Sequence, residues 1–240
     1  MLELRLIREK LSKRILIAET LSKSAWTPMK VDLPPGERFL ILAPHPDDDA
    51  IGCGGTILKA LAMKKTVRIC FLSLPSLNTN SKQDRLKEVK KSLKELGVTD
   101  HTINNQEFPR TTKLVREAIE PELKDWKPDC VFVPSPLENQ DQHLMTFGSY
   151  VEAMRNSPCH AATAFYEVWS PVIPNMVVDI SSFIDKKSKS IAAHSSQVIT
   201  IDYVRMARAL NEYRAISSNL EGYAEAFLYL EKEDLLKIFH

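Results

Sequence analysis

The sequence has few of the features that mark several classes of protein. It has only four cysteines in 240 residues, widely spaced and without a C-x-x-C pair, which excludes a disulfide framework and a cysteine zinc site. The 32 Lys and Arg residues balance 31 Asp and Glu residues, giving a formal net charge of +1. We therefore expect no nucleic-acid partner. No apolar segment is long enough to cross a membrane.

The N-terminal segment also lacks the continuous apolar stretch of a signal peptide. Residues 2–24 instead alternate charged and apolar residues at helical spacing. This pattern predicts an N-terminal helical extension, residues 1–30, that packs on the domain or lies at its surface. A helix lying on a membrane surface is the alternative interpretation. The expected location is cytoplasmic.

The rest of the chain alternates apolar strands with helical patterns. This alternation predicts an α/β protein with a Rossmann-like, mainly parallel sheet and helices on both faces. We expect one domain over residues 1–240, with the extension at its start. The predicted strands are 38–43, 67–74, 130–136, 161–169, 175–180 and 224–231, and the predicted helices are 51–63, 84–98, 112–126, 143–156, 181–197 and 201–219.

Three consecutive aspartates follow the first predicted strand, in ILAPHPDDDAIGCGG at 41–55. Carboxylates so close repel one another, and their burial is costly without a compensating cation. His45 and Asp48 are spaced to reach one side of a tight turn as metal ligands. Asp47 would point elsewhere and act as a general base. The glycines would let the next helix pack close to the sheet.

Two other interpretations of this cluster stay open. Aspartates at a helix start cap free N–H groups, which explains one or two of the three. The glycines also resemble a phosphate-binding turn, which would make this a nucleotide-binding protein without metal. However, G-x-G-x-x-G is not satisfied, and the carboxylates would repel a pyrophosphate.

A second polar cluster, SPLENQDQH at 135–143, follows the strand predicted at 130–136. Ligands of open α/β sheets bind outside the carboxyl ends of the strands. Both clusters lie at such ends, so we expect them to form one site.

These motifs carry a resemblance to a known family. HPDDD at 45–49, followed by IGCGGTILK, resembles the signature of the LmbE-like, or PIG-L-type, zinc-dependent N-acetylglucosamine deacetylases. DRLKEVKKSLKELGV is similar to the family's R-x-x-E helix, and PDCVFVPSP with ENQDQH to its second motif. HSSQ and GYAEAF resemble its C-terminal elements. The resemblance covers about residues 38 to 230.

The resemblance implies a function and a set of site residues. His45, Asp48 and His143 would be ligands of one Zn²⁺, and Asp47 the general base. Arg85 would contact the substrate, and a pair with Glu88 or Asp84 on an exposed helix is its alternative role. The implied reaction is hydrolysis of the N-acetyl group of an N-acetylglucosamine-type sugar or glycoconjugate, a small-molecule partner. The metal would polarise the acetamide carbonyl and lower the pKa of a water.

The second motif departs from the family pattern. Gln140 stands where relatives have a histidine that assists the oxyanion, and a glutamine can donate a hydrogen bond but no proton. Gln142 replaces the usual aspartate beside the ligand, unless the register shifts and Asp141 keeps that role. Asp49 stands where glutamate is usual. We expect Asp49 and Asp141 to support the ligands.

These departures motivate an alternative function, a metal-binding family member with weak or no catalysis that serves as a binding module. Whether the chain forms a homo-oligomer stays open. His194 is expected to pack at a helix end, with a position in the site as the alternative. Trp169 and Tyr166 are expected in the core, with a platform for a sugar ring as the alternative.

Overall fold

The computed structural model describes residues 27–75, 82–199 and 201–239. The helix predicted over 2–24 lies outside these residues. An eight-stranded sheet in the order β1-β7-β8-β6-β5-β2-β3-β4 forms the centre of the molecule. Its strands are β1 Met29–Val31, β2 Arg38–Ala43, β3 Thr66–Phe71, β4 Asp100–Ile103, β5 Cys130–Pro134, β6 Ala162–Tyr166, β7 Met176–Asp179 and β8 Ala224–Leu230. Strand β8 runs antiparallel to both neighbours, and the other pairs are parallel.

Helices cover both faces of this sheet. They are α1 Asp48–Ala62, α2 Lys82–Leu96, α3 Thr112–Pro121, α4 Asp141–Asn156, α5 Ile184–Ala192, α6 Ser195–Val198, α7 Tyr203–Ser217 and α8 Lys232–Ile238. Side chains of β2 alternate between the two faces: Phe39 and Ile41 join one core cluster, and Leu40 and Leu42 join the other. The predicted α/β fold, with a mainly parallel sheet between helical layers, is confirmed. In the described ranges, every helix is too short or too polar to cross a membrane.

The chain reverses its direction of travel across the sheet at β2. Strands β3 and β4 extend the sheet on one side of β2, and β5 then pairs with β2 on the other side. Such a switch point opens a crevice at the carboxyl ends of the two central strands. The first aspartate cluster follows β2, and the second polar cluster follows β5. The fold therefore brings both predicted motifs to one crevice, as expected.

Several predicted elements needed correction. Strands β1 and β4 are missing from the prediction because both are short, largely exposed edge strands without an apolar alternation. Helix α8 was also missed. The single helix predicted at 181–197 is instead a 3₁₀ turn, Ser181–Phe183, followed by α5 and the separate short helix α6. Helix α3 continues past Pro121 as a π-helical segment, Glu122–Trp126.

A buried carboxylate holds α1 in place. The helix is interrupted at Cys53, whose φ of −143° is not helical, so a second helical segment begins there with free N–H groups. Glu225 of β8 accepts hydrogen bonds from the N–H groups of Gly55 (2.8 Å) and Thr56 (2.7 Å). Lys187 of α5 neutralises this carboxylate at 2.6 Å. Glu225 thus joins the first motif to the C-terminal half of the chain.

Two glycines of α1 allow the helix to lie against the sheet. A Cβ atom at Gly52 would lie 2.3 Å from the Tyr166 ring, and one at Gly55 would lie 2.7 Å from Ile180. Neither neighbour has room to move, since Tyr166 and Ile180 are both fully buried. The close packing that the sequence predicted for these glycines is therefore present, and it sets how near α1 comes to the crevice.

Replacing Gly55 with alanine should destabilise the fold. We expect Gly55→Ala to lower the free energy of unfolding by about 1–3 kcal/mol, because the added methyl group overpacks Ile180. Gly148→Ala in α4 is the matched control, since its Cβ would meet nothing within 4 Å. There the loss of glycine flexibility should stabilise the protein by about 0.5–1 kcal/mol. Urea denaturation measures both, and equal effects would contradict the close packing.

Candidate metal centre

Three side chains from separate elements converge in the crevice. His45 follows β2, Asp48 begins α1, and His143 lies in the first turn of α4. One potential ligand atom from each lies within 4.8 Å of the others. Asp48 and His143 are buried, and His45 is partly exposed. Two imidazoles and one carboxylate form a ligand set typical of a protein zinc site.

Asp48 stands at the centre of this group. Its Oδ2 atom lies 3.2 Å from His45 Nδ1 and 3.2 Å from His143 Nε2, and it accepts a hydrogen bond from the backbone N–H of His45 at 2.9 Å. Burial raises the pKa of Asp48, but the imidazoles of His143 and His45 outweigh burial and hold that pKa well below its usual range. Asp48 is therefore a carboxylate anion at neutral pH.

His143 is the best indication that the group fits a cation. Its side chain is fully buried, yet neither ring nitrogen makes a hydrogen bond of acceptable geometry within the described residues. A buried polar atom without such a bond is costly. Burial lowers the pKa of His143, whereas Asp48 raises it more strongly, to about 10. The site attracts positive charge to His143, and a metal ion would supply that charge in place of a proton.

Each imidazole also faces an acceptor on its far side. His45 Nε2 contacts Oε1 of Gln142, and His143 Nδ1 lies 3.4 Å from Oε2 of Glu138. Such partners select the tautomer and orientation of a ligand histidine. The side chain of Gln142, and not that of its neighbour Asp141, therefore contacts His45. Asp141 is exposed at the start of α4, and the structure does not bring it into the group.

Sequence reasoning did not single out Glu138. It is buried, and its carboxylate also accepts hydrogen bonds from the backbone N–H groups of Val168 (3.0 Å) and Trp169 (3.0 Å). These bonds tie the second motif to the segment after β6. Its position in the polar cluster after β5, five residues before His143, was the available signal. Its role depends on contacts that the sequence does not contain.

The other two aspartates have different surroundings. Asp47 faces the cleft, and its φ of 131° is a strained conformation for a residue with a side chain. Burial and the neighbouring Asp48 raise the pKa of Asp47 to about 8, although Arg85 opposes this rise. Asp49 lies behind the turn, where its Oδ1 accepts a weak hydrogen bond from the N–H of Asp47 at 3.4 Å. Burial raises the pKa of Asp49 to about 7.

Arg85 supports the turn that carries the ligands. It is only 1% exposed, and its Nη2 atom donates to the carbonyl oxygen of Pro46 at 3.1 Å. Its Nη1 atom pairs with Glu88 at 2.9 Å. Glu88 in turn accepts hydrogen bonds from Ser195 and Ser196 of the HSSQ segment. Arg85 reaches the cleft wall, but its alternative predicted role as the partner of Glu88 is present in the structure.

A cleft of about 740 Å³, partly open to solvent, lies above the group. Among its lining residues are Gln140, whose Oε1 accepts no hydrogen bond from the described residues, and Trp169. The prediction that Trp169 lies in the core is wrong, because this residue follows β6 at the cleft and is 36% exposed. Tyr166 is a core residue, as expected. His194 is buried at the start of α6, and burial lowers its pKa to about 3.

Comparison with known proteins identifies related deacetylases. Residues 40–154 match the family model described as PIG-L, GlcNAc-PI de-N-acetylase. A diacetylchitobiose deacetylase of Thermococcus kodakarensis is 29% identical over 191 residues, which are 67% of this chain and 70% of that protein. Over these residues the chain is similar to the LmbE-like, PIG-L-type deacetylases.

Two further relatives extend the likeness. A probable N-acetyl-α-D-glucosaminyl L-malate deacetylase 2 of Bacillus anthracis is 25% identical over 224 residues, covering 82% of this chain and 92% of that protein. The structure of the N,N'-diacetylchitobiose deacetylase of Pyrococcus horikoshii shares the fold, with a TM-score of 0.73, 24% identity and coverage of 94% of this chain and 93% of that one. Both curated relatives named here are described as deacetylases of N-acetylated sugar compounds.

Substitutions in the second motif should affect metal binding to different degrees. We expect His143→Ala to abolish stoichiometric metal binding, because it removes a ligand. Gln142→Leu should weaken binding by about 10–100-fold, because it removes the acceptor beside His45. Asp141→Asn, next to it but exposed, should leave the affinity unchanged. Titration with zinc against a competing chelator measures all three. A loss in Asp141→Asn without one in Gln142→Leu would contradict the assigned register.

Proposed function

We propose that this protein hydrolyses the N-acetyl group of an N-acetylglucosamine-type sugar or glycoconjugate, using one zinc ion. The observation that carries this proposal is the convergence of His45, Asp48 and His143 below a cleft that Asp47 also faces. Three protein ligands with a remaining open position are typical of hydrolytic zinc sites. The match to the family model and the names of the relatives support the acetamide as the reacting group.

Zinc is the metal we propose, because two imidazoles and one carboxylate match its ligand preferences better than those of magnesium or calcium. The bound ion would supply Lewis-acid chemistry, polarising the acetyl carbonyl and easing deprotonation of water. His45, Asp48 and His143 would hold it. Gln142 and Glu138 would keep the two imidazoles oriented.

Asp47 is the proposed general base. Its carboxylate faces the cleft beside the ligands, where it would take a proton from the attacking water and later pass it to the leaving amine. Arg85 stabilises the turn below Asp47 through the Pro46 carbonyl, and its positive charge favours the ionised form of Asp47. Asp49 accepts from the N–H of Asp47 and so supports the strained backbone there.

Gln140 is the proposed donor to the acetyl oxygen. It lines the cleft one residue before α4, and its amide N–H groups can stabilise negative charge on the oxygen in the transition state. The amide cannot transfer a proton to the leaving group, so this task falls to Asp47. This arrangement favours a slower enzyme than one with a histidine at the same position.

The presence of Gln140 in place of a histidine supports a second candidate function, a metal-binding module with little or no catalysis. Along the described part of the cleft wall, His45 is the one histidine, and it belongs to the metal group. Such a module would bind zinc and an N-acetylated sugar but release no acetate. Acetate release by the zinc-loaded parent protein on N-acetylglucosamine and N,N'-diacetylchitobiose separates the two candidates.

The Asp47→Asn variant tests the proposed mechanism. We expect it to lower kcat by about 10²–10⁴-fold, because the amide cannot accept the proton, while zinc content stays at the level of the parent. Acetate release and elemental analysis of the same samples measure the two quantities. Asp141→Asn is the matched control, with activity equal to the parent. Full activity in Asp47→Asn would exclude this residue as the base.

A further inference from the structure

The peptide bond before Asp47 is held from behind the cleft. The φ angle of Asp47 is a rotation about the bond between its nitrogen and its Cα, so it depends on the plane of the peptide that joins Pro46 to Asp47. The Pro46 carbonyl lies in that plane and accepts a hydrogen bond from Nη2 of Arg85 at 3.1 Å. A φ of 131° is costly for a residue with a side chain and persists only where neighbouring contacts impose it. The Arg85 guanidinium supplies one of these contacts.

The guanidinium is in turn held by the C-terminal half of the chain. Nη1 of Arg85 donates to Oε2 of Glu88 at 2.9 Å and to the hydroxyl oxygen of Ser196 at 3.2 Å. Oε1 of Glu88 accepts hydrogen bonds from the Ser195 hydroxyl and from the Ser196 backbone N–H, both at 2.8 Å. Arg85 and Glu88 are both buried. The HSSQ segment, residues 194–197, therefore anchors the ion pair that supports the turn.

The Ser196 hydroxyl makes every hydrogen bond that a hydroxyl can make. It donates to Oε2 of Glu88 at 2.8 Å, and it accepts from Nη1 of Arg85 and from Nε2 of Gln197 at 3.1 Å. Its one donor and its two acceptor lone pairs are thereby used. Within the part of the chain that the structure describes, the Ser195 hydroxyl contacts Glu88 but not Arg85. The two adjacent serines thus differ in whether they contact the guanidinium directly.

The metal ligands beside Asp47 have supports of their own. The backbone N–H of His45 donates to Oδ2 of Asp48 at 2.9 Å. The hydroxyl of Ser73 donates to the carbonyl of Pro44 at 2.7 Å. Neither contact involves the guanidinium or the HSSQ segment. Loss of a serine hydroxyl in that segment would therefore disturb Asp47 and spare the ligands, which separates an effect on catalysis from an effect on metal binding.

We propose that Ser196 is a positioning residue for Asp47. Its hydroxyl holds the Arg85 guanidinium in the orientation that fixes the Pro46 carbonyl, and thereby the direction of the Asp47 carboxylate. Ser196 is not among the described residues that line the cleft, so it acts through Arg85 and not on the substrate. This inference rests on the proposed function and deepens it, because it gives the HSSQ segment, which lies outside the part of the chain that matches the family model, a task in the reaction.

Three serine variants of the zinc-loaded protein test this role. We expect Ser196→Ala to lower kcat for acetate release from N-acetylglucosamine or N,N'-diacetylchitobiose by about tenfold, because a small displacement of a catalytic group is costly. KM and zinc affinity should stay within about twofold of the parent. Ser195→Ala is the matched control, since it also removes a 2.8 Å hydrogen bond to Glu88. This control and Ser196→Thr, which retains the hydroxyl, should keep the kcat of the parent. Thermal melts check that each variant folds.

Hydrogen exchange gives a second readout that needs no turnover. The backbone N–H of Ile51 donates to the carbonyl of Asp47 at 2.9 Å, so this amide is protected only while the turn is closed. We expect Ser196→Ala to speed its exchange by about tenfold and Ser195→Ala to leave it unchanged. Exchange measured by NMR on the zinc-loaded proteins gives both rates.

The outcomes distinguish this inference from the proposed function. A parent-like kcat in Ser196→Ala, an equal loss in Ser195→Ala, or a rise in KM alone would overturn the inference while the proposed function stands. A rise in KM alone would mean that the hydroxyl acts through Gln197 on binding. A parent protein that releases no acetate from either sugar would overturn the proposed function. Unchanged exchange at Ile51 in Ser196→Ala would overturn the inference whether or not the parent is active.

Discussion

The buried carboxylate of Glu225 is the interaction on which the arrangement of the molecule depends. A carboxylate in the core costs several kcal/mol unless it is fully paired. Here two backbone N–H groups of α1 and the Lys187 ammonium pair with it. The pairing makes the interruption of α1 at Cys53 tolerable, since it satisfies the N–H groups that the interruption frees. The short first segment of α1 can then carry Asp48 into the crevice at its own angle.

The three consecutive aspartates illustrate how differently one residue type behaves in neighbouring positions. Asp48 lies between two imidazoles and stays ionised. Asp47 faces the cleft in a strained backbone conformation, and its proton affinity is raised by burial and by Asp48. Asp49 lies behind the turn and contacts the backbone. One carboxylate faces the candidate metal group, one faces the cleft and one contacts the backbone, because the three side chains leave a single turn in different directions.

The sequence was sufficient for the general fold and for the location of the candidate site. The apolar runs of β2 and β5, each followed by polar residues, indicated two buried parallel strands with a site at their carboxyl ends. The edge strands β1 and β4 were not predictable, because their pairing is set by the neighbouring strand and not by their own side chains. The break between α5 and α6 was also not predictable from the sequence. It depends on Glu88, a residue more than a hundred positions earlier that accepts hydrogen bonds from Ser195 and Ser196.

The contact of Glu138 with both sides of the cleft has a thermodynamic consequence. Its carboxylate faces the imidazole of His143 and also holds the backbone of Trp169. A ligand that displaced the Trp169 segment would therefore displace the acceptor beside His143, a candidate metal ligand, and the reverse holds equally. For a metal and a cleft ligand bound together, the two occupancies would then be linked equilibria, in which each changes the affinity of the other by the same factor.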